Sequence, residues 1–215
     1  HQDRADFPFL ATNIVETATG RPPEWVQDVA VFTIGDYKVG VIGAALETTP
    51  ELVRADATAG LTFLPAAERI RAASRRLARR GVDIQIVVIH EGTANGTNAI
   101  ANRPATPWDG PIIPIAEALA DTTVDAIVAG HTHRVSNLMV GDILVTEGIN
   151  AGASYSVLQL LVDDDKDDVV WAGGSTRIAK NLGVAPRPDV QAIVEEANAA
   201  TAPLRNQVIA AQAND

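Results

Sequence analysis

The sequence contains no cysteine, which excludes disulfide bonds and thiolate metal ligands. Aromatic residues make up only 4% of its 215 residues, so a buried core has to consist mainly of Val, Ile, Leu and Ala. No apolar run reaches the roughly 18 residues that suggest a membrane-spanning helix. The hydrophobic content is nevertheless 47%, and a chain of this length and composition is expected to form one well-buried globular domain, with room for an appendage.

Basic residues are also scarce, since 17 Lys and Arg stand against 27 Asp and Glu and the formal net charge is −10. This balance argues against long nucleic acids as partners, because binding them requires the neutralisation of many phosphates. A small phosphate ester can still bind where cations reverse the local field. The sequence contains neither Gly-x-Ser-x-Gly nor Gly-x-Gly-x-x-Gly, which argues against a serine hydrolase and a dinucleotide-binding site.

Histidine is rare but informative, because three of the four histidines follow apolar, strand-like runs. Residues 84–89 lead directly into His90, and residues 126–129 lead through a glycine into His131 and His133. If the two strands are parallel neighbours, both loops open at the carboxyl edge of one sheet, where open α/β sheets bind ligands. The pattern therefore predicts one site that contains all three imidazoles.

The spacing of His131 and His133 favours a metal site without proving one. In an extended backbone both imidazoles leave the chain on the same side, where they can serve one metal ion or two adjacent ions. Nitrogen ligands of this kind suit zinc, manganese, iron, cobalt or nickel, and the spacing does not choose among them. The alternative is that each histidine is a hydrogen-bonded structural residue at the end of a strand.

These motifs resemble those of the calcineurin-like metallophosphoesterases, and within them the 5'-nucleotidase and 2',3'-cyclic phosphodiesterase branch. The segments that carry the resemblance are residues 37–43, 88–92 and 130–133, supported by 7–13 and 60–63. The resemblance implies an α/β fold in which two mixed β-sheets form a sandwich flanked by helices. It also implies a pair of divalent metal ions, one held by His90 and His131 and the other by His133. If the strand continues past His90, alternation turns Glu91 away from that histidine, into a supporting or exposed position.

The chain lacks the Asp-x-His and Gly-Asn-His-Glu motifs with which members of that family begin, and its two Gly-Asp pairs, at 35–36 and 141–142, lie in predicted turns between strands and do not match the family's Gly-Asp motif. By resemblance, these motifs supply a bridging aspartate, other metal ligands and the Asn-His pair that assists phosphoryl transfer. We therefore expect an incomplete catalytic domain with a partial or empty metal site, and we assign no catalytic residue and no substrate-binding residue.

The expected function is that of a metal-dependent phosphoric ester hydrolase, specifically the hydrolysis of nucleoside 5'-monophosphates or related nucleotide esters. Activity of this chain is expected to be weak or absent. The alternative is a non-catalytic remnant or binding domain that keeps the fold with little or no metal. The resemblance further implies that the parent protein is exported to the periplasm, the cell wall or the medium.

The domain organisation expected from the resemblance has two parts. Residues 1–187 are expected to be the C-terminal part of the phosphoesterase domain, and residues 188–215 a linker helix that packs near an absent substrate-specificity domain. Local patterns also predict a hairpin over residues 29–42, a strand over 7–14 and helices over 65–80 and 115–120. The acidic stretch 163–168 fails the spacing of a calcium loop and is expected to be a hairpin turn.

Overall fold

The computed structural model describes residues 5–96, 107–166, 168–180 and 182–209. Over these residues the chain forms ten strands and four helices, with a short 3₁₀ turn at Ala55–Ala57. The strands are β1 (Ile14–Glu16), β2 (Val29–Ile34), β3 (Tyr37–Ala44), β4 (Leu61–Phe63), β5 (Ile84–Ile89), β6 (Ala126–Val128), β7 (Ser136–Val140), β8 (Ile143–Glu147), β9 (Ser154–Asp163) and β10 (Asp168–Ile178). The helices are α1 (Thr49–Leu52), α2 (Ala66–Ala78), α3 (Ile112–Glu117) and α4 (Pro188–Arg205).

The chain divides into two compact units, His1–Ala179 and Lys180–Asp215. The first unit contains all the described strands and helices α1 to α3, and the second contains α4. A helix that begins at Pro188 is present as predicted, while its role as a linker stays a prediction. None of the helices in the described ranges is long and apolar enough to cross a membrane.

Among the described residues, six strands form one mixed sheet in the order β2-β3-β5-β6-β8-β7. The central strands β3, β5, β6 and β8 are parallel, and the edge strands β2 and β7 pair antiparallel with their neighbours. The hairpin predicted over residues 29–42 is the β2–β3 pair. The α/β class is therefore confirmed, and β5 and β6 are the parallel neighbours that a shared histidine site requires.

Helices α2 and α3 cover one face of this sheet. Helix α2 buries Ile70 and Leu77 completely and α3 buries Ile112, because apolar residues recur along one side of each helix. These side chains pack in one cluster with Ile127 and Val145 of the sheet. Burial of a side chain of this size contributes about 1.5–3 kcal/mol, so the cluster anchors the strands whose ends carry the histidines.

Strands β9 and β10 form a separate antiparallel sheet on the opposite face. Leu158 and Leu160 of β9 line a cavity of about 380 Å³ together with Ile84 and Ile86 of β5. Because side chains alternate along a strand, Ile84 and Ile86 point away from the helix-facing Val87. The expected sandwich of two sheets flanked by helices is thus confirmed, with the difference that the second sheet is antiparallel in the described residues. The acidic stretch connects β9 to β10, as predicted.

Two local predictions are wrong in their extent. Residues 7–14 do not form a regular strand, because Leu10 makes an isolated bridge with Gln27 and strand β1 begins only at Ile14. The helix expected over residues 115–120 begins earlier, at Ile112, and ends at Glu117. Its start follows Pro111, whose φ of −59° already suits a first helical turn.

Asp125, just before β6, makes the stability of the sheet depend on pH. Its Oδ2 accepts a hydrogen bond from the Gln85 N–H at 2.7 Å. Burial raises the pKa of Asp125 from 3.8 to about 6, the bond from Gln85 lowers it, and the charge of Asp168 raises it further. The folded state therefore holds this proton more tightly than the unfolded state. The resulting stabilisation is fully present below pH 3.8 and is lost as the pH rises through 6.

The variant Asp125→Asn is expected to be more stable than the wild type above pH 6. The gain in the free energy of unfolding should be on the order of 1 kcal/mol after allowance for partial solvent exposure, and it should fall away towards pH 4. Urea denaturation at pH 4.5 and pH 8 measures it. Asp83→Asn is the control, because Asp83 accepts a comparable bond from the Lys38 N–H at 2.7 Å. An equal gain at both pH values, or in both variants, would contradict the assignment to Asp125.

Candidate metal centre

The two histidine loops lie side by side at the carboxyl edge of the parallel strands. His90 directly follows β5, and its N–H donates to the Ala44 carbonyl at 3.1 Å, which extends the pairing with β3 by one residue. The second loop follows β6, and its Gly130 N–H donates to the Glu91 carbonyl at 2.9 Å. Main-chain hydrogen bonding thus places His90 and His131 opposite each other.

The imidazoles of His90 and His131 are in contact. His90 Nε2 and His131 Nδ1 are 3.3 Å apart, and the ring centroids are 5.0 Å apart with an angle of 62° between the ring planes. Two nitrogen ligands at about 2.0–2.1 Å from a tetrahedral metal ion would be separated by about 3.3–3.4 Å. The same distance also suits a direct hydrogen bond between two neutral imidazoles.

The backbone of the second loop differs from the conformation that the sequence argument assumed. His131 and His133 have φ angles of 71° and 57°, in the left-handed region that residues with a Cβ rarely adopt. The assumption of an extended backbone at His131 and His133 is therefore wrong. Such conformations persist where surrounding contacts impose them and are frequent at functional sites. The role of His133 as a metal ligand stays a prediction.

The electrostatics of His90 favour a neutral ring. Burial lowers the pKa of His90, the charges of His131 and His133 lower it further, and the charge of Glu91 raises it. A neutral imidazole has the free lone pair that metal coordination requires. The contact between His90 and His131 is the direct one between imidazoles of this group.

Glu147, at the end of β8, is a buried residue in contact with both histidine loops that the sequence argument missed. Its side chain is 1% exposed, and it accepts hydrogen bonds from Thr132 Oγ1 at 2.9 Å and from the Thr93 and Arg134 N–H groups at 3.4 Å. Burial raises the pKa of Glu147, and the bond from Thr132 lowers it, as do the main-chain bonds. The local signal was an acidic residue that completes a fully buried strand.

A cleft of about 500 Å³ borders this group on one side. His131 and Thr132 form part of its wall, and two carboxylates, Glu47 and Glu91, also line it. Glu47 is held in place by the Ala66 N–H, which donates to its Oε1 at 2.6 Å. Two carboxylates would repel an anionic phosphate ester, so this cleft suits such a ligand only with a cation beside it.

The described residues offer an incomplete set of metal ligands. Within residues 5–96, 107–166, 168–180 and 182–209, no group of three or more His, Asp or Glu side chains is arranged to hold a metal ion. The facing nitrogens of His90 and His131 fit two positions around one ion. The chemistry and spacing of this pair therefore suit a metal, but they do not complete its coordination.

The mixed sheet flanked by helices has the fold of the calcineurin-like phosphoesterases and 5'-nucleotidases among solved structures. No family model matches the chain. The chain is similar to the cell wall protein Lmo0130 of Listeria monocytogenes, with 26% identity over 96% of this chain and 27% of that protein. It is also similar to the endonuclease YhcR of Bacillus subtilis, with 22% identity over 99% of this chain and 17% of that protein. A 5'-nucleotidase of Vibrio parahaemolyticus is 28% identical over 62% of this chain and 22% of that protein.

Solved structures show the same fold at low identity. The Thermus thermophilus sulfate thiohydrolase SoxB superposes with a TM-score of 0.71 at 20% identity, covering 95% of this chain and 34% of that one. A 5'-nucleotidase precursor from Thermus thermophilus superposes with a TM-score of 0.71 at 18% identity, covering 97% of this chain and 41% of that one. The calcineurin-like phosphoesterase YfkN of Bacillus subtilis superposes with a TM-score of 0.69 at 18% identity, covering 94% of this chain and 65% of that one.

These comparisons confirm the resemblance that the histidine motifs predict. The chain has the fold of calcineurin-like phosphoesterases and 5'-nucleotidases, and 5'-nucleotidases are among its sequence relatives. The chain spans about a quarter or less of the length of the curated relatives named above. The activity of a whole protein therefore enters only as a proposal.

Proposed function

We propose that this chain is part of a metal-dependent phosphoesterase domain that hydrolyses nucleoside 5'-monophosphates or related nucleotide esters. The observation that carries the proposal is the 3.3 Å approach of His90 Nε2 to His131 Nδ1 at the carboxyl edge of parallel strands. His90, His131 and His133 are the proposed ligands. The 5'-nucleotidases among the relatives support the substrate class.

Two divalent cations, when bound, would lower the pKa of a water molecule and stabilise charge on the entering and leaving oxygens. This chain contributes neutral imidazoles, which hold a cation without cancelling its charge. It also contributes the cleft beside His131 and Thr132, in which Glu47 and Glu91 make phosphate binding dependent on that cation. The metal is proposed to be zinc, manganese, iron, cobalt or nickel.

The incomplete ligand set limits what we expect of this chain by itself. The family's early Asp-x-His and Gly-Asn-His-Glu motifs do not occur in the sequence, and its two Gly-Asp pairs lie in the turns between β2 and β3 and between β7 and β8. With two histidine nitrogens fitting one ion, metal affinity should be weak and turnover slow or absent. We propose that residues 1–187 are the C-terminal part of the catalytic domain and residues 188–215 a linker to a further domain, in a protein that is exported. Similarity to a cell wall protein supports the last point.

The second candidate function is a non-catalytic domain that keeps the fold with little or no metal. Two observations favour it. The His90–His131 contact also suits a direct hydrogen bond, and no group of three metal-binding side chains forms among the described residues. In that case the two imidazoles join the loops structurally, and the protein binds a phosphate ester weakly or not at all.

Metal content distinguishes the two candidates. We expect purified chain, dialysed to equilibrium against Mn²⁺, to hold metal above the concentration in the buffer, as measured by plasma mass spectrometry. In His131→Ala the metal affinity should fall at least about ten-fold, because one of two facing nitrogens is lost. Any hydrolysis of a chromogenic phosphodiester in added Mn²⁺ should fall in parallel.

The variant His1→Ala is the matched control, since it removes a histidine to which the proposal gives no role. Equal metal content in wild type, His131→Ala and His1→Ala would overturn the ligand assignment. Wild-type chain with neither metal nor turnover would favour the non-catalytic domain.

A further inference from the structure

Glu147 is a buried carboxylate that connects the two histidine loops. Its Oε2 accepts from the N–H of Thr93, three residues after His90, at 3.4 Å. Its Oε1 accepts from the N–H of Arg134, directly after His133, at 3.4 Å. The Thr132 hydroxyl lies 2.9 Å and 3.0 Å from the two carboxylate oxygens. The side chain of Glu147 thus forms hydrogen bonds with both histidine loops.

The carboxylate of Glu147 is closely packed against the first histidine loop. A Cβ placed on Gly92 would lie 2.5 Å from Glu147 Oε2 and 2.5 Å from Thr132 Oγ1, so the loop backbone lies directly against the carboxylate. Strand β8 is buried along its whole length and is hydrogen-bonded to β6 and β7. Glu147 therefore transmits the position of a rigid strand to two loops.

The contact also lies within the part of the second loop that has an unusual backbone. His131 and His133 are in left-handed conformations, which cost energy for residues with a Cβ. Thr132 lies between them and donates to Glu147. A hydrogen bond to a buried acceptor is costly to leave unmade, so this contact can offset part of the cost of the left-handed backbone on either side.

We propose that Glu147 is a positioning residue that fixes the two histidine loops against each other, so that His90 Nε2 and His131 Nδ1 face one point. Glu147 does not need to touch a metal or a substrate for this. The consequence for metal affinity rests on the proposed function, whereas the consequence for loop geometry does not. A purely structural role would lower stability without a specific effect on the two loops.

The first measurement uses metal-free protein. In Glu147→Ala we expect amide hydrogen exchange, followed by NMR, to become at least about ten-fold faster at Thr93 and Arg134, which lose their acceptor. Exchange at Val87, in the sheet core, should not change. Nuclear Overhauser contacts between the rings of His90 and His131 should weaken.

Isosteric variants serve as the matched set. Thr132→Val removes the hydroxyl donor and should reproduce the loosening of the second loop. Thr146→Val is the control, because Thr146 is the buried neighbour of Glu147 and its hydroxyl has no hydrogen-bond partner in the described structure. Glu147→Gln keeps one oxygen acceptor but turns an NH₂ group towards the other N–H donor. It should therefore give an intermediate effect and rescue part of the loss, and it carries the test if Glu147→Ala does not fold.

The second measurement is Co²⁺ affinity by isothermal titration calorimetry. We expect a loss of about ten-fold in Glu147→Ala and in Thr132→Val, the range known for residues that orient metal ligands. The double variant should lose little more than either single variant, because both changes break the same contact. Thr146→Val should bind as the wild type does.

The outcomes separate the two proposals. If the wild type binds no Co²⁺, the proposed function fails, and exchange and ring contacts alone decide the role of Glu147. Unchanged exchange at Thr93 and Arg134 in Glu147→Ala would overturn the role whatever the metal result. An equal rise in exchange at Val87 would also overturn the role of Glu147. If the wild type binds Co²⁺, unchanged Co²⁺ affinity in both Glu147→Ala and Thr132→Val would overturn it as well.

Discussion

Replacing Gly92 with alanine is expected to lower the free energy of unfolding by about 3 kcal/mol, at the upper end of the cost of overpacking. A Cβ at this position would lie 2.5 Å from Glu147 Oε2 and Thr132 Oγ1, and closer still to the Gly130 carbonyl oxygen. Glu147 Oε2 belongs to a buried carboxylate, and the Gly130 carbonyl oxygen belongs to a main chain that is held by hydrogen bonds. Neither can move aside without breaking the contacts between the two histidine loops.

Gly130→Ala is the matched control and is expected to be tolerated. Gly130 belongs to the more conspicuous Gly-His-Thr-His motif, yet a Cβ there would have its nearest contacts at 3.8 Å and 3.9 Å, which are ordinary distances. Chemical denaturation of both variants measures the difference. Comparable loss in Gly130→Ala, or none in Gly92→Ala, would show that the loops are not packed as described.

The second large effect is expected at Asn13, which is completely buried. Its Nδ2 donates to the Ala45 carbonyl at 2.8 Å and to the Leu64 carbonyl at 3.2 Å, and its Oδ1 accepts from the Ala45 N–H at 2.8 Å. Asn13→Ala leaves three main-chain groups without this partner, and an unsatisfied buried group costs about 1–3 kcal/mol. We expect a total loss of about 3 kcal/mol.

The variant Thr12→Val is the control, because it changes a buried polar side chain next to Asn13 and leaves Asn13 itself in place. Thr12 is 2% exposed and its hydroxyl has no hydrogen-bond partner in the described structure. An isosteric valine should therefore leave the stability unchanged or raise it slightly. Thermal unfolding followed by circular dichroism compares the two variants. If Asn13→Ala unfolds at the same temperature as the wild type, the segment before β1 does not depend on this side chain.

The positions of the histidine loops were predictable because the signals are local. An apolar run such as residues 84–89 followed by His90 defines the end of a strand without reference to the rest of the chain. The inference that both loops meet needed one assumption, that the strands are parallel neighbours, and the pairing of β5 with β6 confirms it. That pairing brings the two loops together but does not set the distance between the imidazoles of His90 and His131.

The conformation of the second loop was not predictable in the same way. Residues 126–129 indicate a strand, but the pattern does not say where extended backbone ends. In the structure φ is already positive at His131, and the contact of Thr132 with Glu147, 15 residues away, accompanies that change. The failed strand over residues 7–14 has a similar cause, because its main-chain bonds go to Gln27 and Gly43 instead of one continuous partner.

The sequence by itself determined the elements that depend on neighbouring residues: the apolar strands, helix α2, the β2–β3 hairpin and the histidines at two strand ends. Hydrophobic periodicity and turn residues determine local structure over a few positions, so these elements can be predicted from the sequence. Only the tertiary structure decided the role of Glu147, the packing that requires Gly92 and tolerates Gly130, and the 3.3 Å approach of His90 to His131. Those depend on contacts between residues as far as 54 positions apart, which form when strands β5, β6 and β8 become neighbours in one sheet.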